Sequence, residues 1–270
     1  MPREEGAARL VLERALGYPY PRPESSYLYD SGRVLPLRAE RTGAGLLLRV
    51  GEKRLSPESL DWEQRIPVLA YGSNASPEQL RRKFPQGTIP VLRGRVKDYD
   101  VVFAALIASY GSVPATLFPS PGTVVEVWLT LLTPEQKAVM DRSERLGVAY
   151  TLGSVSAWSS WPQESLGEWS RPLAYWAQKG ALAPKGSPIA LAEVPAEGRR
   201  FVSLTQREAL DVVRRLIAPD LPLETFILRL VRERAFRRSV QERLPRRLQE
   251  LDRSALPEHV EEERRSDQRC

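Results

Sequence analysis

The stretch from Ile66 to Gln79 constrains the fold more than any other part of the chain. Ile66 to Tyr71 is an apolar run of strand length, Gly72-Ser73-Asn74 breaks it, and Ser76-Pro77-Glu78-Gln79 has the composition of a helix start. Ser76 is placed to cap an orphan N–H, and Pro77 suits the first helical position, where its missing donor costs nothing. Gln79 is spaced to complete a capping box. A buried strand running through a tight turn into a helix must find sheet neighbours for its backbone groups, so the rest of the chain has to supply strands.

Those strands are predicted at Val34 to Leu37, Leu46 to Val50, Pro90 to Val96, Tyr99 to Leu106, Ala115 to Phe118 and Thr123 to Leu131, and again around Tyr150, Leu173 and Ile189. Pro119-Ser120-Pro121-Gly122 reads as a turn that reverses the chain between two of them. Thr133-Pro134-Glu135-Gln136 repeats the helix-start chemistry, and that helix is expected to run to about Glu144, with Gly147 beyond its end. Ala7 to Leu16 has helical spacing, and the three prolines of Tyr18 to Pro23 make the next segment an extended arm. From Ser203 the pattern is helical, including a long amphipathic stretch with Leu223, Phe226, Ile227, Leu230 and Val231 on one stripe, interrupted by Pro245. The expected fold class is α+β, a small mixed sheet or barrel with flanking helices and a helical carboxyl-terminal extension. The expected division is an amino-terminal extension over 1–65, a core over 66–195, helices over 196–255 and a charged tail over 256–270.

At 270 residues, with 42% hydrophobic and 27% charged residues, the chain is long enough to bury a real core. The longest apolar run, Val101 to Ala108, is far below the ~18 residues of a membrane span, and the amino terminus lacks a hydrophobic signal core, so a cytoplasmic, non-membrane protein is expected. The one cysteine, Cys270, and the one histidine, His259, both lie in the charged tail. That disfavours an internal disulfide, a Ser-His-Asp triad, a Cys-His pair or a histidine-rich metal site. The net charge of +6 is scattered and no nucleic-acid motif accompanies it, so a nucleic-acid partner is disfavoured. Trp158, Trp161, Trp169 and Trp176 read as core or rim packing rather than as a stacking platform.

Proton-transfer chemistry is thereby left to carboxylate, lysine or tyrosine. The turn Tyr71-Gly72-Ser73-Asn74 holds the only asparagine of the chain. Gly72 allows close approach of the backbone to a ligand, and successive N–H groups of such a turn converge on an anion. On the residues alone, an ordinary strand-to-helix turn is the competing reading.

These residues resemble the γ-glutamylcyclotransferase family, whose members carry a Tyr-Gly-Ser-Asn or similar loop directly after the first core strand. Ala115-Thr116-Leu117-Phe118 and Ser120-Pro121-Gly122, followed by Val125 to Leu131, resemble the family's Ala-Thr-Ile and Ser-Pro-Gly hairpin leading into a Val-Trp strand. Met140-Asp141-Arg142-Ser143-Glu144 resembles its Leu-Asp-x-x-Glu segment, with Glu144 lying 73 residues beyond Tyr71. The likeness spans roughly Ile66 to Ala192. It implies Glu144 as general acid and base, with Tyr71, Gly72, Ser73, Asn74 and Tyr150 binding a small γ-glutamyl substrate. The implied reaction is attack of the substrate's α-amine on its own γ-carbonyl, releasing 5-oxoproline and an amine or amino acid without metal or cofactor. In many members Gly-Val follows the glutamate directly; here Arg145-Leu146 intervene before Gly147-Val148, which keeps Asp141 as the substitute base.

Helical periodicity alone places Glu144 away from the stripe of Leu132, Val139 and Leu146. It can serve as a base only if the helix ends near Ser143 or its polar side faces the Tyr71 turn across a cavity, partly shielded from water. Otherwise the reading becomes a non-catalytic binding or regulatory module on the same fold. Whether the extensions cover the pocket or form a homodimer is open at this point.

Overall fold

The computed structural model describes residues 2–42, 45–155, 157–160 and 168–248. Trp161 and the expected charged tail lie outside them. The chain opens with α1 (Pro2–Leu16), then the strands β1 (Tyr27–Asp30), β2 (Arg33–Thr42), β3 (Gly45–Val50) and β4 (Lys53–Leu55). Next come β5 (Ile66–Ala70), α2 (Pro77–Lys83), β6 (Thr88–Phe103), β7 (Ala115–Leu132), α3 (Pro134–Ser143) and β8 (Tyr150–Ser154). The hairpin β9 (Ala157–Ser160) and β10 (Glu168–Ser170) follows, then β11 (Leu173–Ala177). Beyond several two-residue strands come α4 (Gln206–Ile217), α5 (Leu223–Arg232) and α6 (Arg234–Glu242), and a two-residue strand at Arg246–Arg247 follows them.

The architecture is α+β. One 14-stranded sheet has the central order β4-β3-β2-β1-β6-β7-β5-β11-β8. Along this path only β5 and β11 run parallel. Among the described residues the path stays open, with β4 and β8 at its ends, so no closed barrel forms, and the sheet is large where a small one was expected. Alternate residues serve opposite faces, as the strand period of two requires. On β5, Val68 and Ala70 join Leu80 of α2 and Met140 of α3 in one core. Leu69 points the other way, into a core shared with Ala15 of α1, Leu210 of α4, Phe226 and Leu230 of α5, and Val240 of α6.

Three sequence expectations need correction. Pro119-Ser120-Pro121-Gly122 does not reverse the chain: β7 runs through it, and β6 likewise joins the two strands expected within it. Tyr99 pairs with Pro119 and Lys97 with Val124, so Ser120 to Thr123 bulge out opposite Asp98 while both strands keep their direction. The Gly122 N–H donates to Asp98 Oδ1 at 2.8 Å, closing the bulge with a side chain that no local pattern announces. Second, the long helix from Leu223 breaks at Glu233, whose φ of −108° and ψ of 96° are extended. The break lets Phe236 fold edge-on against Phe226, with ring centroids 5.7 Å apart. Third, Ser76 occupies the cap position of α2 without a side-chain cap bond. Its hydroxyl is buried and finds no partner among the described residues, and the same holds for Gln79 Oε1, so no capping box forms there. The matching Thr133–Gln136 box at α3 does form, in both directions.

Candidate active site

At the carboxyl end of β5, Gly72 leads into a single 3-10 turn, Ser73–Ala75, which passes the chain to α2. The turn closes on itself through Ser76 N–H to Ser73 O at 2.9 Å. The leading N–H groups of such a turn have no acceptor inside it. Gly72 is buried because Tyr18, from the proline-rich arm, lies over it, and a Cβ at this position would fall on the Tyr18 hydroxyl. The close approach that requires glycine here is therefore to a tyrosine of the same chain. Tyr18 Oη in turn accepts the Ala115 N–H at 2.8 Å, and Tyr150 donates its hydroxyl to the Ala115 carbonyl at 3.1 Å. Tyr71 donates its hydroxyl to the Tyr175 carbonyl on β11.

Helix α3 ends at Ser143, and Glu144 is its C-cap. Gln136 and Thr133 fix its start, and the Glu144 N–H still reaches Met140 O at 2.9 Å, so the carboxylate is carried by the helix's last hydrogen bond. The chain then turns away through Arg145 at φ 53°. Glu144 thus leaves the helix at the point where its side chain can face the Gly72 turn. Asn74 Nδ2 donates to Glu144 Oε1 at 3.0 Å, and Lys83 Nζ, from the last residue of α2, donates to the same oxygen at 2.5 Å. Lys83 also donates to Asn74 Oδ1 at 2.7 Å, closing a triangle of lysine, amide and carboxylate. The Lys83 and Glu144 side chains are 8% and 18% exposed. Glu144 is therefore partly shielded from water.

A cavity of about 190 Å³ opens between the turn and the end of α3, with Gly72, Ser73, Asn74, Glu144 and Tyr150 in its wall. Burial pushes the phenols of Tyr18, Tyr71 and Tyr150 well above their ordinary value near 10, and the Glu144 charge raises each further. They remain neutral hydroxyls throughout the physiological range. Asp141 is placed differently. Both its oxygens accept from Lys137 Nζ at 2.8 Å, Tyr175 donates its hydroxyl to it at 2.5 Å, and it is not part of the cavity wall.

The structure therefore brings Tyr71, Gly72, Ser73, Asn74, Glu144 and Tyr150 to one cavity. It adds Lys83, Tyr18 and Arg145, which sequence reasoning did not single out. Lys83 carried a faint signal as the last cation of the basic end of α2, nine residues after Asn74. Tyr18 carried none, since the arm gives no sign of where it docks. Trp158 and Trp176 are buried in the core and do not line the cavity. Among the described residues no cluster of histidine, cysteine or acid is arranged to hold a metal, and no helix is long and apolar enough to cross a membrane.

No protein-family model matches the chain, and no curated protein matches it. Among solved structures, a γ-glutamyl cyclotransferase is similar at 15% identity and a TM-score of 0.37, over 75% of this chain and 99% of that one. The uncharacterized protein loc79017 from Homo sapiens is similar at 15% identity and a TM-score of 0.36, over 74% and 97%. YkqA from Bacillus subtilis is similar at 11% identity and a TM-score of 0.34, over 83% and 73%.

Proposed function

We propose that this chain cyclises γ-glutamyl amides to 5-oxoproline, with Glu144 as general base and then general acid. The observation that carries the reading is the Glu144 carboxylate facing the Gly72–Asn74 turn across one cavity. At about 190 Å³ the cavity exceeds the ~150 Å³ apolar void that admits benzene, so a γ-glutamyl group has room to fold back on itself there. Glu144 takes a proton from the substrate's α-ammonium, and the freed amine attacks the γ-carbonyl carbon, forming the ring C–N bond. The tetrahedral intermediate then collapses, the C–N bond to the leaving amine breaks, Glu144 returns the proton to the departing nitrogen, and the ring nitrogen gives up its second proton to solvent as it becomes the lactam N–H. Free N–H groups of the turn suit the oxygen that gains charge in between. Because nucleophile and electrophile belong to one molecule, holding the folded conformer supplies most of the acceleration, with effective molarities of about 10⁵ M or more for well-aligned cases.

Lys83 and Asn74 both engage Glu144 Oε1, which leaves Oε2 as the atom for proton transfer. The same double engagement also fits a carboxylate that only braces the cavity wall, as in a non-catalytic binding module. Release of 5-oxoproline from a panel of γ-glutamyl amides separates the two. Glu144→Gln keeps the side-chain shape and removes the base, and is expected to cut release by about 10²- to 10⁴-fold. Full activity in that variant would move the base elsewhere, and a folded wild-type protein inert toward every panel member would favour the binding module.

A further inference from the structure

A separate cavity of about 440 Å³ lies under the proline-rich arm, between residues 16–24 and the sheet, with Glu193 from the stretch ahead of α4 at one side. Tyr18 is the one residue it shares with the wall of the Glu144 cavity. The register of β6 and β7 sets Arg93 directly opposite Trp128, and Glu126, two residues before Trp128, falls on the same face. The sheet thus presents a cation, an indole and a carboxylate to the arm. Arg93 and Glu126 satisfy each other as an ion pair. Arg22 of the arm and Glu193 do not. Arg22 Nη2 donates to the Glu193 backbone carbonyl at 2.7 Å, while Glu193 Oε1 accepts the Gln206 N–H at 2.9 Å, and no ion pair joins the two side chains.

Four polar atoms of these lining residues, Arg22 Nη1, Arg93 Nε, Trp128 Nε1 and Glu193 Oε2, are shielded from water and find no partner among the described residues. Trp128 is only 3% exposed, and the Arg22 guanidinium lies over its ring, 4.8 Å from the centroid. Burial pushes Arg22 below its ordinary value, as expected of a cation short of a counter-charge. Buried donors and acceptors are ordinarily paired, so four around one cavity call for a ligand that supplies the partners. Three of them are donors and the fourth is a carboxylate oxygen, so a simple anion would meet Glu193 unfavourably and a simple cation would meet Arg22 unfavourably. We infer that the groove binds a free α-amino acid, its carboxylate on Arg22, Arg93 and Trp128 and its ammonium on Glu193. Leu16, Pro21 and Pro195 supply apolar wall for the side chain, and the volume exceeds the ~150 Å³ void that admits benzene. No backbone-to-backbone hydrogen bond ties residues 21–25 to their neighbours, so the arm is the wall that yields as the ligand enters and brings Arg22 down onto it. Glu144 and the Gly72 turn are not in this wall, so the site is one of binding without turnover and stands apart from the cyclisation reading.

The test titrates L-leucine and L-phenylalanine calorimetrically into the full-length protein at neutral pH, beside L-leucinamide, which lacks the carboxylate, and 4-methylpentanoate, which lacks the ammonium. Both amino acids are expected to bind, and L-leucine about tenfold or more tightly than either single-charge analogue, the factor of one charge-assisted hydrogen bond. Arg22→Gln and Glu193→Gln are each expected to weaken L-leucine binding by about the same factor. The Glu193 change keeps an oxygen for the Gln206 N–H, so it holds the test valid should the Arg22 change loosen the arm. No binding of either amino acid, or analogues that bind as tightly as L-leucine, would overturn the site. An affinity that both substitutions leave intact would also overturn it, because the ligand would then sit elsewhere, the Glu144 cavity included.

Discussion

Gly72 and Tyr18 test each other at the scale of single residues. A methyl group at Gly72 collides with the Tyr18 hydroxyl, and that hydroxyl is the acceptor for the Ala115 N–H. Gly72→Ala is therefore expected to destabilise by about 1–3 kcal/mol, the usual cost of overpacking, and to depress turnover. Adding Tyr18→Phe removes the colliding oxygen and is expected to recover part of the stability, a sign of coupling that urea unfolding of the four-member cycle measures directly. Additive losses would show that the backbone of Gly72, not its neighbour, is what the substitution offends. Lys83→Met leaves Glu144 facing Asn74 without its cation in a site only 18% exposed. The expected cost is about 1–3 kcal/mol, since a shielded charge loses its partner, and an unchanged urea midpoint would contradict it.

Two helix starts with the same residue pattern behave differently at the scale of elements. At α3 both halves of the capping box form, Gln136 N–H to Thr133 Oγ1 at 3.3 Å and Thr133 N–H to Gln136 Oε1 at 3.0 Å. Thr133→Ala is expected to lose about 1 kcal/mol. Because α3 carries Glu144 at its far end, the loss should, on the proposed reaction, also appear in the rate of 5-oxoproline release. At α2 the Ser76 hydroxyl is buried and caps nothing. Ser76→Ala is expected to be neutral or stabilising by up to about 1 kcal/mol, because a buried hydroxyl without a partner costs free energy. Thermal or urea unfolding of both variants decides the pair, and a clear loss at Ser76 would mean that its hydroxyl has a role not captured by its neighbours in the fold.

Over the whole molecule, buried phenols couple stability to alkaline pH. Tyr18, Tyr71 and Tyr150 have folded-state pKa values raised above the ordinary value, chiefly by burial. A raised folded-state pKa means that the unfolded chain gives up its protons first as pH rises. Their contribution is thus intact below about pH 10 and is lost above it, by about 1.4 kcal/mol per pH unit for each phenol. Urea midpoints measured from pH 9 to 11 are expected to fall progressively above 10, and less steeply in Tyr71→Phe. A flat profile, or an unchanged slope in the variant, would mean that these phenols titrate in the folded protein as they do in the unfolded one. The two faces of the sheet divide the labour at this scale: α2 and α3 on one side present the site, while α1 and α4 to α6 bury the other.

The amino-acid sequence by itself determined the strand, turn and helix around Tyr71–Asn74, the alternation that splits Val68 and Ala70 from Leu69, and the start of α3. Each of these follows from sterics, capping or side-chain period acting within a few residues. The chain's one asparagine lies in that turn, and its side chain lines the candidate site. Tertiary structure decided the rest. Whether Pro119–Gly122 reverses the chain or bulges from it depends on Asp98 of a neighbouring strand. Whether Ser76 caps its helix depends on what surrounds its hydroxyl, and periodicity that pointed Glu144 outward was overruled by a helix that stops one residue before it. The Lys83–Glu144 pair spans 61 residues and the Tyr18–Ala115 contact spans 97, separations over which local backbone preferences carry no information. Only packing of the whole chain chooses which side chains meet across them, because the gain comes from burial and pairing shared between distant segments.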